Sequence, residues 1–216
     1  MKKIIVILFS VLLFLNAGAQ TMSDSAAYNK GLFMIDSART MQDYKAAGEY
    51  FDALSISKPK DWLAPLYAGL CYILASRSET DVKLKDELCD KAQVCINTAN
   101  GRHADLSESA SLQAFLYQAR IDVSPMERGL EYSLKADSEI KKAEITNPFD
   151  PRPYFLYAMN VYYTPKMFGG GAEKALPLFE QAAEKFNVFV PVMPFMPHWG
   201  KKQNLEMLEK CKRETE

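Results

Sequence analysis

Apolar residues recur at intervals of three and four along most of this chain, which is the spacing of helices that bury one face. This pattern predicts helices over residues 24–38, 42–57, 62–77, 81–99, 107–121, 127–146, 152–163, 172–187 and 200–213. The breaks carry turn-forming residues, as at 58–61, 100–101 and 147–151. No stretch alternates apolar and polar residues as a half-buried strand does. The sequence therefore predicts an all-α fold without a sheet.

A three-residue pattern recurs four times within these helices. It consists of a small residue, a large apolar residue four positions later, and a small or apolar residue three positions after that. Its copies are Ala47-Phe51-Leu54, Ala92-Ile96-Ala99, Ala136-Ile140-Ala143 and Ala175-Phe179-Ala182. Offsets of four and seven put all three residues on one helical face, where the small ones let another helix approach closely. Copies that begin 45, 44 and 39 positions apart indicate an internal repeat of helical hairpins.

Two prolines and a glycine extend the pattern into the neighbouring helices. Pro59 and Pro148 follow the first and third copies by the same distance, and Gly69 with Tyr72 lies in the helix after Pro59. With these residues the chain resembles the tetratricopeptide repeat (TPR) family over about residues 28–187. It departs from that family in its longer period, since the family repeats every 34 residues or so, and the second copy lacks the proline.

The TPR resemblance implies a right-handed superhelical array of antiparallel hairpins in one domain, residues 20–216. The helix pairs would span about 24–57, 62–99, 107–146 and 152–187, with a strap and a capping helix at 188–216. The extra length predicts long loops inside the hairpins, near 76–82, 121–130 and 164–171. In the capping helix, Leu205 and Leu208 are expected to pack inward.

The first nineteen residues have the three parts of a secretory signal peptide. Lys2 and Lys3 precede an apolar run from Ile4 to Leu15, and Ala17-Gly18-Ala19 supplies the cleavage pattern. The run is about twelve residues, shorter than the about twenty that a spanning helix needs. We therefore expect a signal peptide at 1–19, a periplasmic or secreted protein, and no membrane span after cleavage.

Charge and composition give little sign of catalysis or of nucleic-acid binding. The formal net charge of −1 becomes −3 once Lys2 and Lys3 are removed, which does not favour a nucleic-acid partner. His103 and His198 fall in predicted loops without partners at metal-ligand or triad spacing, and neither HExxH nor GxSxG is present. We expect no enzymatic activity, no metal and no cofactor.

The four cysteines outside the signal segment leave two interpretations open. They are Cys71, Cys89, Cys95 and Cys211, and no CxxC motif is present. In an oxidising compartment, Cys71 can pair with Cys89 or Cys95 if their helices are neighbours. Buried free thiols are at least as compatible with the sequence.

Two segments depart from the helical pattern. Gly169-Gly170-Gly171 opens a helix but lacks a following Gly-Lys-Ser/Thr, which favours an inter-helix loop, flexible enough to fold over a partner. Residues 189–199, which we call the strap, have three prolines at spacing three and suit an extended path. We expect the strap to pack across the last helix pair; the alternative is an exposed apolar patch for a partner. The residues expected to contact a partner are Arg152, Tyr162, Tyr163, Phe168 and Trp199.

The leading functional hypothesis is an exported TPR-like scaffold that holds a protein partner of the cell envelope in its concave helical groove. The alternative is a periplasmic module that binds a small molecule or peptide and works with an envelope transporter. A small-molecule binder is expected to have a closed pocket ringed by aromatic residues and one or two charges.

Overall fold

The computed structural model describes residues 25–216, so the predicted signal peptide lies outside the described residues. Between residues 25 and 216 the chain forms helices and turns, without a strand. The helices are α1 (25–37), α2 (Met41–Ser57), α3 (Leu63–Arg77), α4 (Val82–Gly101), α5 (Leu106–Ile121), α6 (Pro125–Thr146), α7 (Pro151–Tyr163), α8 (Ala172–Val188) and α9 (Lys201–Thr215), with a 3₁₀ turn at Lys166–Phe168 before α8. Each predicted helix is confirmed, with its described ends within two residues of the prediction.

The helix starts are fixed by short polar side chains. Thr40 and Asp43 form a reciprocal capping box at the start of α2. Asp81, Asp105 and Asp150 precede α4, α5 and α7, and each side chain accepts hydrogen bonds from backbone N–H groups of the first turn. These side chains satisfy donors that have no partner within the helix, so they set where each helix begins.

The helices pack as consecutive hairpins that share one apolar core. The pairs are α1 with α2, α3 with α4, α5 with α6, and α7 with α8. All twelve residues of the recurring pattern are buried, and every copy lies on the second helix of its hairpin. The all-α arrangement of stacked helical hairpins is thus confirmed, and the pattern marks the face that enters the core.

The extra residues of each repeat lie mostly inside helices rather than in loops. Among the connections inside the hairpins that the structure describes, only the one at 164–171 is long; α4 follows α3 after residues 78–81, and α6 follows α5 after 122–124. The expected loops near 76–82 and 121–130 are therefore wrong. Asp81 caps α4 directly and Pro125 occupies the first turn of α6, so these two helices grow to 20 and 22 residues.

The last helix, α9, packs against α8 as expected of a cap. Its buried residues are Asn204, Leu208 and Cys211, and the Asn204 side chain donates a hydrogen bond to the Phe179 carbonyl at 3.0 Å. Offsets of four and seven place these three residues on one face. Leu205 falls outside that face and is exposed, so the expectation that it packs inward is wrong, whereas Leu208 is buried as predicted.

Phe195, in the middle of the strap, packs on the first two hairpins. The odd-numbered helices form one layer, in which α5 contacts both α3 and α7. On this layer, Phe195 stacks on Tyr28 of α1 with ring centroids 5.3 Å apart. The Phe195 carbonyl also accepts a hydrogen bond from the Tyr67 hydroxyl of α3 at 2.9 Å.

The end of the strap packs on the third and fourth hairpins. Trp199 stacks on Phe115 of α5, with centroids 5.1 Å apart, and the Pro197 carbonyl accepts from the Arg152 guanidinium of α7 at 3.0 Å. The strap therefore packs on the last helix pair, as expected, and also contacts the other three hairpins. It covers the layer that would line the groove of a TPR-like array.

Candidate functional site

Arg152 lies inside the protein, where it joins α5, α7 and the strap. Only 1 % of its side chain is exposed. Its guanidinium donates to both carboxylate oxygens of Glu108 and to Asp150 at 2.8 and 2.9 Å, in addition to the Pro197 carbonyl. The Trp199 ring centroid lies 5.7 Å from the guanidinium carbon. Arg152 and Trp199, both expected at a partner surface, therefore hold the strap in place.

The Glu108 carboxylate shares this single cation with a second acid. Burial raises the pKa of Glu108 to about 7; Arg152 acts in the opposite direction, and the nearby Asp150 adds to the rise. One guanidinium thus faces two buried carboxylates, and protonation of Glu108 relieves the excess negative charge.

We expect this protein to gain stability as the pH falls from about 8 to 5, relative to a Glu108→Gln variant. The folded pKa of about 7 lies above the ordinary value of 4.5, so the folded state binds the proton more tightly. The contribution is fully present below 4.5, is lost as the pH rises through about 7, and is on the order of 2–3 kcal/mol. Urea unfolding of both proteins at four pH values measures it. Parallel pH profiles would show that Glu108 ionises normally.

A cleft of about 410 Å³ opens at the end of the last hairpin. Its walls are the end of α7, the glycine loop before α8, and the last turns of α9. The aromatic and charged side chains that line it are Tyr162, Tyr163, Lys166, Glu173, Lys210 and Glu214. The volume falls within the range of small-molecule sites, roughly 300–1,000 Å³.

The glycine run lets the loop fold tightly back on α7. Gly169 and Gly171 have φ angles of 86° and 97°, which other residues rarely adopt. A Cβ on Gly170 would overlap the backbone of Thr164 and Val161. The Gly171 N–H donates to the Val161 carbonyl at 3.0 Å. The glycines therefore build a packed wall of the cleft, and the expectation that this loop folds over a partner stays a prediction.

Two tyrosines and a lysine form the inner part of the cleft. The rings of Tyr162 and Tyr163 meet edge to face at 4.9 Å. The Tyr162 hydroxyl donates to Glu214 at 2.8 Å, and the Lys210 ammonium lies 5.0 Å from the Tyr162 ring centroid. Burial raises the pKa of Tyr162, and the hydrogen bond with Tyr162 raises the pKa of Lys210. At neutral pH Tyr162 is thus a neutral phenol beside the positive charge of Lys210.

The rim of the cleft is more exposed. The Lys166 ammonium lies 3.7 Å from the Glu173 carboxylate, and both side chains are largely in solvent. Phe168 is exposed on the 3₁₀ turn beside the cleft but does not line it. Of the five residues expected at a binding surface, the structure thus brings Tyr162 and Tyr163 together here and places Phe168 next to them.

The charged residues of the cleft were missed in the sequence. Lys210 and Glu214 are four apart and share one face of α9, and neither is among the residues expected from the sequence at a partner surface. Nothing in the local sequence indicates that this face turns toward α7. The spacing shows that the two residues lie on the same face of α9. Only the packing of α9 shows that this face lines the cleft.

Other candidate chemistry is not supported in the part of the chain that the structure describes. All four cysteines are buried as free thiols. Among residues 25–216, no group of three or more His, Cys, Asp or Glu side chains is arranged to hold a metal ion. Within the same range, each helix falls short of the length or the apolar character needed to cross a bilayer.

The HusA haemophore from Porphyromonas gingivalis has a similar solved structure. It is 32 % identical in sequence, with a TM-score of 0.77, over 88 % of this chain and 92 % of that chain. The chain belongs to the HusA family. Neither a protein-family model nor a protein with curated annotation matches it. This HusA family member is therefore related to a protein described as a haemophore.

Proposed function

We propose that this protein is an exported carrier that binds a haem-type tetrapyrrole. The observation that carries the proposal is its relationship to a haemophore, which extends over 92 % of that protein's length. This favours the small-molecule alternative over a scaffold for proteins. Handover of the cargo to an envelope transporter belongs to the same proposal.

The cleft at the end of the last hairpin is the site that we propose for the cargo. A haem-type tetrapyrrole is a flat aromatic macrocycle that carries carboxylates. The rings of Tyr162 and Tyr163 offer faces and edges for the macrocycle, and a tyrosine oxygen is one of the groups that bind haem iron in proteins. Lys166 and Lys210 line the cleft, and their ammonium groups can pair with the carboxylates of such a ligand. The cleft is open rather than closed, so a flat ligand would enter by one edge.

The strap argues against a protein partner in the concave groove. Phe195 and Trp199 stack on rings of α1 and α5, so the layer that would bind such a partner already packs against the chain itself. A scaffold of that kind would first have to displace the Arg152 contact with the strap. The cleft needs no such rearrangement, because it is open in the folded chain.

Titration of the chain from residue 20 onward with haemin tests the proposal. We expect saturable binding, followed by haem absorbance and by tryptophan fluorescence, with a dissociation constant at or below about 1 μM, which corresponds to about −8 kcal/mol. Tyr163→Ala and Lys210→Met are each expected to weaken binding by about tenfold, or about 1.4 kcal/mol. Tyr157→Ala and Lys202→Met are matched controls, since both residues are exposed on α7 and α9 and neither lines the cleft.

The two parts of the proposal fail separately. Absence of saturable haemin binding contradicts the carrier function. Saturable binding that both cleft variants leave unchanged contradicts the cleft as its site and keeps the function.

A further inference from the structure

The outward side of the strap is strongly apolar. The strap is held at Phe189, whose ring centroid lies 5.7 Å from the Arg152 guanidinium carbon, and again from Phe195 onward, whereas residues 190–194, which we call the strap tip, are exposed. In the tip, Val190 is 77 % exposed, Val192 87 % and Met193 49 %, and Val188 just before the strap is 78 % exposed. Single exposed apolar residues are ordinary, but four within six positions form a patch that usually has a partner.

The apolar patch continues onto a neighbouring turn. The Lys185 ammonium donates to the Pro148 carbonyl at 2.9 Å, which places the turn between α6 and α7 beside the end of α8. Phe149 in that turn is also largely exposed. Lys185 lies one helical turn before Val188, so Phe149 and the strap share one end of the molecule.

Basic residues outnumber acidic ones by three to two around the strap, although the whole chain is slightly acidic. Residues 184–206 contain Lys185, Lys201 and Lys202 against Glu184 and Glu206, and the Lys202 ammonium lies 3.9 Å from the Glu206 carboxylate. Lys201 and Lys202 are exposed at the start of α9, directly after the strap. An uncharged apolar segment thus has basic side chains on both sides.

We propose that the strap tip docks on an anionic lipid membrane. The aliphatic side chains of Val190, Val192 and Met193 enter the boundary between headgroups and acyl chains, and the flanking lysines lie among the anionic headgroups. A lipid surface fits better than a protein partner, because the tip is exposed and lacks the Trp, Tyr and Arg residues that dominate protein interfaces. This inference is independent of the proposed function, since it requires no cargo.

Vesicle flotation of the chain from residue 20 onward tests the docking. We expect it to float with vesicles of phosphatidylethanolamine and phosphatidylglycerol and far less with pure phosphatidylcholine. A double variant, Val190→Asp with Val192→Asp, is expected to lower the bound fraction at least tenfold, and Lys201→Glu with Lys202→Glu is expected to lower it on the anionic vesicles. Val94→Asp is the matched control, because Val94 is exposed on α4 outside the patch. Circular dichroism checks that each variant folds.

Two flotation results overturn the docking: wild-type protein that stays with the soluble fraction, and aspartate variants that float as wild type does. Sedimentation velocity gives a further result that overturns the docking. If the wild-type protein is a dimer that does not float, and the double variant is a monomer, the patch binds a second copy of the chain rather than a membrane. Haemin titration of the double variant, expected to match wild type, keeps this test separate from that of the carrier function.

Discussion

Replacement of Arg152 by methionine is expected to lower the free energy of unfolding by about 3–5 kcal/mol, because it leaves buried carboxylates without their cation. Glu108 and Asp150 are almost completely buried, and both direct their oxygens at the guanidinium. The variant also loses the hydrogen bond to the Pro197 carbonyl, so the strap is released at the same point. Urea unfolding followed by far-ultraviolet circular dichroism measures the change.

The matched control for Arg152 is Arg128→Met. Arg128 also forms a two-pronged ion pair, with Asp86 at 2.7 and 2.8 Å, but in contact with solvent. Its loss is expected to cost no more than about 1 kcal/mol. A double variant, Glu108→Gln with Arg152→Met, should recover part of the lost stability, because one of the stranded charges is gone. Equal losses for the two single arginine variants would mean that the Arg152 cluster is no stronger than a surface pair.

Replacement of Phe51 by alanine is also expected to lower the free energy of unfolding by about 3–5 kcal/mol, since it empties a closely packed site. The Phe51 side chain is completely buried. Its ring stacks on Tyr67 with centroids 5.0 Å apart and meets Tyr50 edge-on at 5.7 Å. Gly31 of α1 also lies against this ring, so the cavity would open between the first two hairpins.

Phe33→Ala makes the same chemical change at a surface position. Phe33 is on α1 and is 71 % exposed. Its loss is expected to change the free energy of unfolding by no more than about 0.5 kcal/mol. Comparable effects of Phe33→Ala and Phe51→Ala would contradict the assignment of the recurring pattern to the core.

The fold was predictable to the extent that its signals are local. Asp81, Asp105 and Asp150 mark helix starts through bonds to the next two or three residues. The recurring pattern, in which Phe51 and Phe179 are the large members, depends only on offsets within one helix. Such signals need no knowledge of where other elements lie.

Features that depend on distant parts of the chain were misinterpreted. Arg152 stands at the start of a helix, where from the sequence we expect it to contact a partner at the surface. Its burial results from Glu108, 44 positions earlier, and Pro197, 45 positions later. Likewise the exposure of Tyr157 follows from the packing of α7, which turns Leu156 and Met159 inward.

The candidate cleft was also predictable only in part. Tyr162 and Tyr163 could be singled out because two neighbouring residues of a helix cannot both face one partner. Lys210 became part of the site only because α9 folds back over α8 and brings its last turns to the end of α7. The half of the site on α7 was therefore predictable, and the half on α9 was not.

The strap also changes how this protein is expected to unfold. In a linear repeat array each hairpin contacts only its neighbours, so the terminal hairpins can open while the middle stays folded. Here a segment from beyond the fourth hairpin stacks on Tyr28 in the first one. The ends of the array are thereby coupled, and loosening of the first hairpin disturbs the last. Within the described chain, cooperativity therefore resembles that of a closed ring more than that of an open row of repeats.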